Sequence, residues 1–329
     1  MQPDLAIPQR STGAWRGAAL RLAFTWACIF AITIGDWREM AHQWWNIDTY
    51  GHILFLPPII AWLIWVRRGE LAKAPVSGWW PGLVWMALGL SVWIGGNGAN
   101  INLIAQAGAI MALQGAVLAI LGLQVAAILA FPLVFLGFLV PFGDEIIPFL
   151  QTVTAVIATT LTHWSGVAMV ADGIHIDTPA GLFIVAEECS GVKFLIAMVT
   201  LGVLVAHTCF TSWNRRAWLM LACILVPILA NGVRAWATIF IAQYVGAEAA
   251  GSFDHIVYGW VFFGLVIALV LGAAWRWFER DPEDAGWTAD EAADLPPVVR
   301  WQGLTMRDAS VLAIALLIVL VFAALARVG

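Results

Sequence analysis

The chain has 329 residues, of which 16 are Lys or Arg and 21 are Asp or Glu, so that only 11% are charged, where a soluble domain carries roughly 25%. Hydrophobic residues make up 62%, there are 20 Trp, and the mean hydropathy is +0.87. A compact soluble body cannot hide that much apolar side chain, which excludes a soluble enzyme, a nucleic-acid binder and a disordered chain and leaves an all-α polytopic membrane protein, because apolar runs of about 20 residues recur.

The first apolar run, 18–34, follows Arg10, Arg16 and Arg21 and has no small-x-small cleavage site after it. It reads as a retained span rather than a cleaved signal peptide. Further runs fall at 53–66, 80–95, 101–121 and 125–142, and then at 191–210, 217–240, 256–275 and 310–326. The expectation is eight or nine transmembrane helices. Between the two groups, 146–167 is apolar but carries Pro148, Gln151 and several Thr, and reads as an amphipathic or re-entrant helix on the outer face. Residues 169–185, with Gly173, Ile174, Ile176, Pro179 and Gly181, read as an extended hairpin with a Pro–Ala–Gly turn. Together 143–189 form a small extracytoplasmic helix-plus-hairpin element. The acidic, Pro-containing stretch 279–300 reads as a mobile cytoplasmic linker. The expected divisions are a catalytic membrane domain over 18–275, that linker within 276–307, and an extra C-terminal helix over 308–329. Four Cys in such a chain make no disulfide framework.

Orientation follows from the basic residues. With the N-terminus in the cytoplasm, Arg10, Arg16, Arg21, Arg67, Arg68, Lys73, Arg215, Arg216, Arg276, Arg280, Arg300 and Arg307 lie inside. Arg38, Lys193, Arg234 and Arg327 lie outside. A crossing by 146–167 would place Arg215 and Arg216 outside and break this bias.

Ionisable groups at membrane depth are costly, so each is a candidate for function. Cys189 follows Glu187 and Glu188 and opens a helix near Ser190, with Lys193 one turn on. A helix N-terminus favours a thiolate, while the two carboxylates oppose it. The same features fit a buried structural cysteine. Arg234 is the only charge between 217 and 247, and Asn231 shares its face. The alternative for Arg234 is snorkelling to the interface. His255, preceded by Asp254, opens the next span, and Gly259 four residues on leaves space on the same face. It can carry a proton, or simply cap a helix. A nucleophile, a cation and a proton carrier at the outer ends of consecutive spans are the set that acyl transfer through a thioester needs. His42, His52, His163, His175 and His255 are all outside but lack zinc spacing, so no metal and no cofactor is expected.

The run Glu188-Cys189-Ser190-Gly191-Val192, then Asn231-Gly232-Val233-Arg234, then His255 with Gly259, Trp260 and Phe263, resembles the exosortase/archaeosortase family of membrane transpeptidase-like cysteine proteases. Trp45 through His52, Leu56-Pro57-Pro58 and Trp65-Val66-Arg67-Arg68 are similar to the family's early signature, with Gly51 and Ile53 where the family has Ser and Gly. The resemblance implies a catalytic Cys189, Arg234 and His255. Glu188, Ser190, Asn231, Asp254, Gly259 and His52 are its supporting or substrate-binding residues, and His52 is a rival base. It implies substrates exported across the bacterial inner membrane, each with a tail of a short Pro-containing motif, a transmembrane helix and a basic cluster. It also implies an acyl-enzyme at Cys189 and an association with exopolysaccharide production. Some relatives carry a fused outer domain; for this chain, which ends at Gly329, a separate accessory protein is the expectation. The partners are thus tailed exported proteins and the bilayer, with no nucleic acid. The rival class is a non-enzymatic component or transporter of polysaccharide export, in which Arg234 and His255 would line a path.

Overall fold

The computed structural model describes residues 12–253 and 259–327. In chain order the helices are α1 (Thr12–Ile32), α2 (Ile34–Asn46), α3 (Leu56–Val66), α4 (Arg68–Lys73), α5 (Pro81–Gly98), α6 (Asn102–Leu121), α7 (Leu123–Ile128) and α8 (Ala130–Phe135). Then come α9 (Ile147–Trp164), strands β1 (Val170–Asp172), β2 (His175–Thr178) and β3 (Gly181–Ile184), α10 (Val192–Cys209) and α11 (Trp213–Val245). The chain finishes with α12 (Ala247–Phe253), α13 (Gly259–Trp275), α14 (Ala289–Asp294), α15 (Pro296–Trp301) and α16 (Asp308–Leu325). The protein is a mostly helical, polytopic membrane protein. Among the described residues six helices are long and apolar enough to cross a bilayer, or seven if Ile34–Asn46 and Gly51–Val66, bent by 107°, make one span.

Among the described residues the expected count of eight or nine spans is not reproduced, for local reasons. Residues 125–142 do not form one helix: after Gly122, at φ +89°, the chain makes α7, α8 and a 3-10 turn at Leu136–Leu139, and Pro132 removes a helical donor. The run 53–66 is the second limb of the bent pair. The segment expected along the outer surface forms α9, and Asp144–Trp164 passes the same length and apolarity test as the accepted spans.

The chain divides into two compact units, one comprising Met1–Ile47, Ile53–Pro141 and Gly286–Gly329, the other Asp48–His52 and Phe142–Ala285. The first is organised by the α5–α6 pair. Gly82, Gly89 and Gly96 recur every seventh residue, and so do Ala105, Ala112 and Ala119 on the partner helix. A Cβ on Gly82, Gly89 or Gly96 would collide with the backbone of Ala119, Ala112 or Ala105 respectively. Small residues on one face thus let the two backbones touch, which is how helices associate where lipid offers no hydrophobic contrast. Trp26 of α1 donates to the Leu113 carbonyl at 3.1 Å, and Arg21 pairs with Asp308 of α16 at 2.6 Å.

The acidic stretch read as a mobile linker is folded, and this corrects that expectation. Thr288 and Glu291 form a reciprocal capping box at the start of α14, which satisfies two otherwise orphaned donors. Glu70 accepts from Ala289 N at 2.8 Å, Gln124 donates to Ala289 O at 2.8 Å, and Arg67 donates to Trp287 O. Trp79 then reaches Trp301 O at 3.0 Å. Within the stretch, Glu291 is held by the Thr288 cap, and the backbone of Trp287 and Ala289 is held by residues of the first unit.

In the second unit, α10 and α11 pack with Gly202 against Cys223. The strands form an antiparallel meander in the order β1-β2-β3, with Gly173 at φ +58° between β1 and β2. The expected hairpin is present as β2–β3 around Pro179 and Ala180, and β1 extends it to three strands. At the opposite end of α10, Glu279 accepts from Thr211 N (2.6 Å), Ser212 N (2.7 Å) and Thr211 Oγ1 (2.8 Å) and pairs with Arg215 at 3.1 Å. Bonds from the Ser212 and Thr211 amides and the Thr211 hydroxyl to its ionised form hold Glu279 well below its ordinary value of 4.5, at about 2.

Two outcomes follow. Gly96→Ala should cost about 1–3 kcal/mol by overpacking. The adjacent Gly95→Ala, which meets open space, should be neutral or stabilising by about 0.5–1 kcal/mol; thermal unfolding in detergent reads both. For Glu279, the folded-state pKa is depressed, so its stabilisation is full above the unfolded value and fades as pH falls toward 2. The difference in melting temperature between wild type and Glu279→Gln should accordingly be present at pH 6 and shrink between pH 4.5 and 2.

Candidate active site

The second unit collects the polar residues that matter. β3 ends at Ile184, and Glu187–Cys189 form a single 3-10 turn. That turn is closed by Cys189 N to Ala186 O at 2.9 Å and Ser190 N to Glu187 O at 3.0 Å. Gly191 follows at φ +82° and α10 starts at Val192. Ser190 is buried, and its Oγ accepts from Val192 N at 3.3 Å, which meets one of the open donors of the helix start. Glu188 is exposed and Cys189 half-buried, packed with Ala155, Ala158, Ile176, Val185 and Ile239.

Asn231 ties this turn to two helices. It is 3% exposed. Its Nδ2 donates to the Cys189 carbonyl at 2.8 Å and to Thr154 Oγ1 of α9 at 3.0 Å, and Thr154 in turn donates to Ser190 O at 3.4 Å. Gly191 has no alternative residue here: its φ is left-handed, and a Cβ would lie 2.6 Å from Asn231 Cγ. Gly232, next along, lets Ile157 of α9 close on α11.

Arg234, one turn beyond Asn231, is 8% exposed. Its guanidinium lies over the Phe194 ring, 5.8 Å from the centroid, and Phe194 stacks on Phe263 of α13 at 4.6 Å. The shared face expected of Asn231 and Arg234 is thus a buried face. α11 has 33 residues, about 50 Å at 1.5 Å per residue, against a hydrocarbon core of about 30 Å. Arg234 lies in the half of α11 far from Trp213, Arg215 and Arg216. α9 keeps to this far half: Ile147 and Leu150 cluster with Ile228 and Val192, Thr154 meets Asn231, and Ser165 accepts from Trp236 Nε1 at 2.8 Å. Gln243 near the end of α11 donates to Thr178 of β2 at 3.2 Å, and Gln151 of α9 donates to Val185 O at 2.9 Å. The sheet and the Cys189 turn are therefore fixed to both helices.

His52 belongs to the same unit and is half-buried, with Nδ1 3.1 Å from Thr49 O. Beside it Tyr50 is buried and bonded to Asp144; burial first, and then that carboxylate, push the phenol well above its ordinary value. His255 and Asp254 lie outside the described residues, and Gly259 begins α13. Among the described residues no group of three or more His, Cys, Asp or Glu is placed to hold a metal.

Sequence reading missed Thr154, Phe194, Gln151 and Gln243. The Thr-rich, Gln-containing character of 146–167 is a signal for the first and third, since polar side chains on an apolar helix need partners. Phe194 carried no signal, since an aromatic residue in an apolar helix is commonplace.

A family model described as transmembrane exosortase matches residues 44–272, well over half of the chain. No curated protein and no solved structure matches it.

Removing the clamp should be measurable. Asn231→Ala leaves the Thr154 hydroxyl and the Cys189 carbonyl without this donor, at a cost of about 1–3 kcal/mol. With Cys28, Cys209 and Cys223 replaced by Ala, maleimide labelling of Cys189 should be faster in Asn231→Ala than in the parent.

Proposed function

The chain belongs to the transmembrane exosortase family, and we propose that it is a cysteine protease-transpeptidase acting on the C-terminal sorting tails of exported proteins. The observation that carries this reading is the Cys189–Gly191 turn, held by Asn231 one helical turn from the buried Arg234. On this reading Cys189 is the nucleophile and Arg234, a cation that never deprotonates, is its electrostatic partner.

The proposed reaction has two halves. The Cys189 thiolate attacks the scissile carbonyl, and negative charge gathers on its oxygen beside Arg234. The C–N bond breaks, the departing amine takes a proton from His255, and a thioester remains on Cys189. An acceptor amine then loses a proton to His255 as it attacks the thioester. The C–S bond breaks and the thiolate is restored; water in place of the amine gives a free acid. His52 is the second candidate for the proton. The membrane is the bacterial inner membrane, with the N-terminus cytoplasmic and Cys189 at the outer face. That orientation rests on the distribution of basic residues: although α9 is long and apolar enough to cross, a crossing there would put Arg215 and Arg216 outside, so on this reading α9 lies with the sheet at the outer face. The setting is an envelope that makes exopolysaccharide.

The test is processing of a tagged sorting-tail reporter in membranes. Cys189→Ala should abolish cleavage while the protein still accumulates, and Arg234→Lys should lower it at least tenfold, because a point charge does not replace the guanidinium fork. His255→Ala should abolish cleavage and His52→Ala should not. Survival of processing in Cys189→Ala would sink the enzyme reading.

A further inference from the structure

We infer that the open edge of β3 is the docking strand for the extended motif of the substrate tail, which binds parallel to β3 and enters the Cys189 turn at the Ile184 end. This rests on the proposed function and assigns where the peptide lies and which way it runs.

Among the described residues the edge is available. β3 is the terminal strand of the meander. Val185 N bonds to Ile174 O at 3.0 Å, and His175 pairs with Ile184, Ile176 with Phe183 and Thr178 with Gly181. Hydrogen-bonded pairs alternate along an antiparallel ladder, so Gly181, Phe183 and Val185 turn their backbone groups to β2. The N–H and C=O of Leu182 and the N–H of Ile184 turn to the open edge. The Ile184 carbonyl is already used by Ala186 N at 2.9 Å. An extended peptide joined to such an edge gains main-chain bonds and presents alternate side chains to the sheet face.

The side chains favour a peptide over the bilayer. Leu182 and Ile184 are 60% and 51% exposed. Their ladder partners on the same face are Asp177 and Val170 for Leu182, and His175 and Asp172 for Ile184. Asp172, His175 and Asp177 are exposed. A face carrying two carboxylates does not sink into hydrocarbon, whereas an apolar rim beside charges suits a short mixed peptide. The opposite face is anchored by Ile176 and Phe183, which pack with Ala155, Ala158 and Ile239.

The direction follows from the chain's course. β3 passes through the Cys189 turn directly into α10, an apolar helix long enough to cross the membrane. On the proposed reading, a tail also runs from an extended motif into a membrane helix. Lying parallel to β3, it would bring the residue to be cleaved to Cys189 as its helix descends beside α10. Lying antiparallel, it would lead its membrane helix away from the bilayer.

Proline locates the edge. Leu182→Pro removes an outward N–H without breaking the β2–β3 ladder, a position where proline is tolerated. Ala171→Pro does the same at the far edge, because Val170 and Asp172 are the β1 residues that bond to β2. With the reporter in membranes, Leu182→Pro should lower kcat/KM at least tenfold, mainly through KM, while Ala171→Pro stays within twofold of wild type. Cys189 labelling should be unchanged in both, which checks the fold. In the Cys189→Ala background, Leu182→Cys and Ile184→Cys should each form a disulfide with single-cysteine tails, Ile184→Cys at a position nearer the tail's helix. Wild-type kinetics for Leu182→Pro, the reverse cross-link order, or no cross-link would each overturn the assignment. So would a polarity-sensitive dye on Leu182→Cys that reports hydrocarbon and ignores added tail, which would make the face a membrane-resting one. If wild type cleaves and Cys189→Ala does not, these failures fall on the strand assignment alone; cleavage by Cys189→Ala sinks the functional reading itself.

Discussion

The arrangement around Cys189 depends on one buried amide. Asn231 sits where water does not compete, so its two hydrogen bonds are worth more than they would be at a surface, and losing either leaves a costly orphan. One bond fixes the carbonyl of Cys189 and the other fixes α9 through Thr154. The geometry around it is then constrained on all sides. Gly191 must be glycine because both its backbone angle and the space beside it are taken by this contact. Gly232 must be small for Ile157 to bring α9 against α11. The sheet follows, because it is tethered to the same two helices by Gln151 and Gln243. Asn231 therefore sets the turn against α9, and two glutamines set the sheet on the same pair of helices.

The other unit solves a different problem with different means. Its central contact, α5 against α6, has almost no polar content. It depends on glycine and alanine at every seventh position, so that backbone meets backbone. Where α5 begins and α6 ends, hydrogen bonds resume: Glu70, Arg67, Gln124 and Trp79 hold the stretch from Trp287 to Trp301. Dispersion and close approach suffice between apolar helices, while the charged segment beyond them needs named donors and acceptors. The sequence makes the same division: charge is scarce in the spans and gathered in 279–300, where backbone and capping bonds hold the chain.

Much of this was legible from the chain alone. Hydropathy located the long helices, and the spacing of Asn231 and Arg234 put them on one face, which is buried. The Pro–Ala–Gly turn marked β2–β3. The failures have identifiable causes. Averaging hydropathy over 125–142 hid the break at Leu129 and the change to a 3-10 turn at Leu136, because a window sums what a backbone must satisfy residue by residue. Composition made 279–300 look mobile, although Thr288 and Glu291 spell a capping box and Pro296 suits a helix start. The seven-residue Gly and Ala repeats of α5 and α6 were present in the sequence as well. Phe194, by contrast, was not legible, because its pairing with Arg234 joins α10 to α11 and leaves no local trace.

That pairing bears on what Arg234 can do. A buried guanidinium needs stabilisation, and a carboxylate would supply it by cancelling the charge. An aromatic ring supplies it differently: the Phe194 quadrupole attracts the cation but adds no negative charge to the site. The field of Arg234 is therefore not cancelled by this contact. In a medium of low dielectric that field reaches any negative charge that develops nearby more strongly than it would in water. Phe194 is itself held against Phe263, so the ring, and the cation above it, are positioned before any substrate arrives. Ring and guanidinium thus form one packed unit, and little reorganisation of these side chains is needed when charge changes nearby.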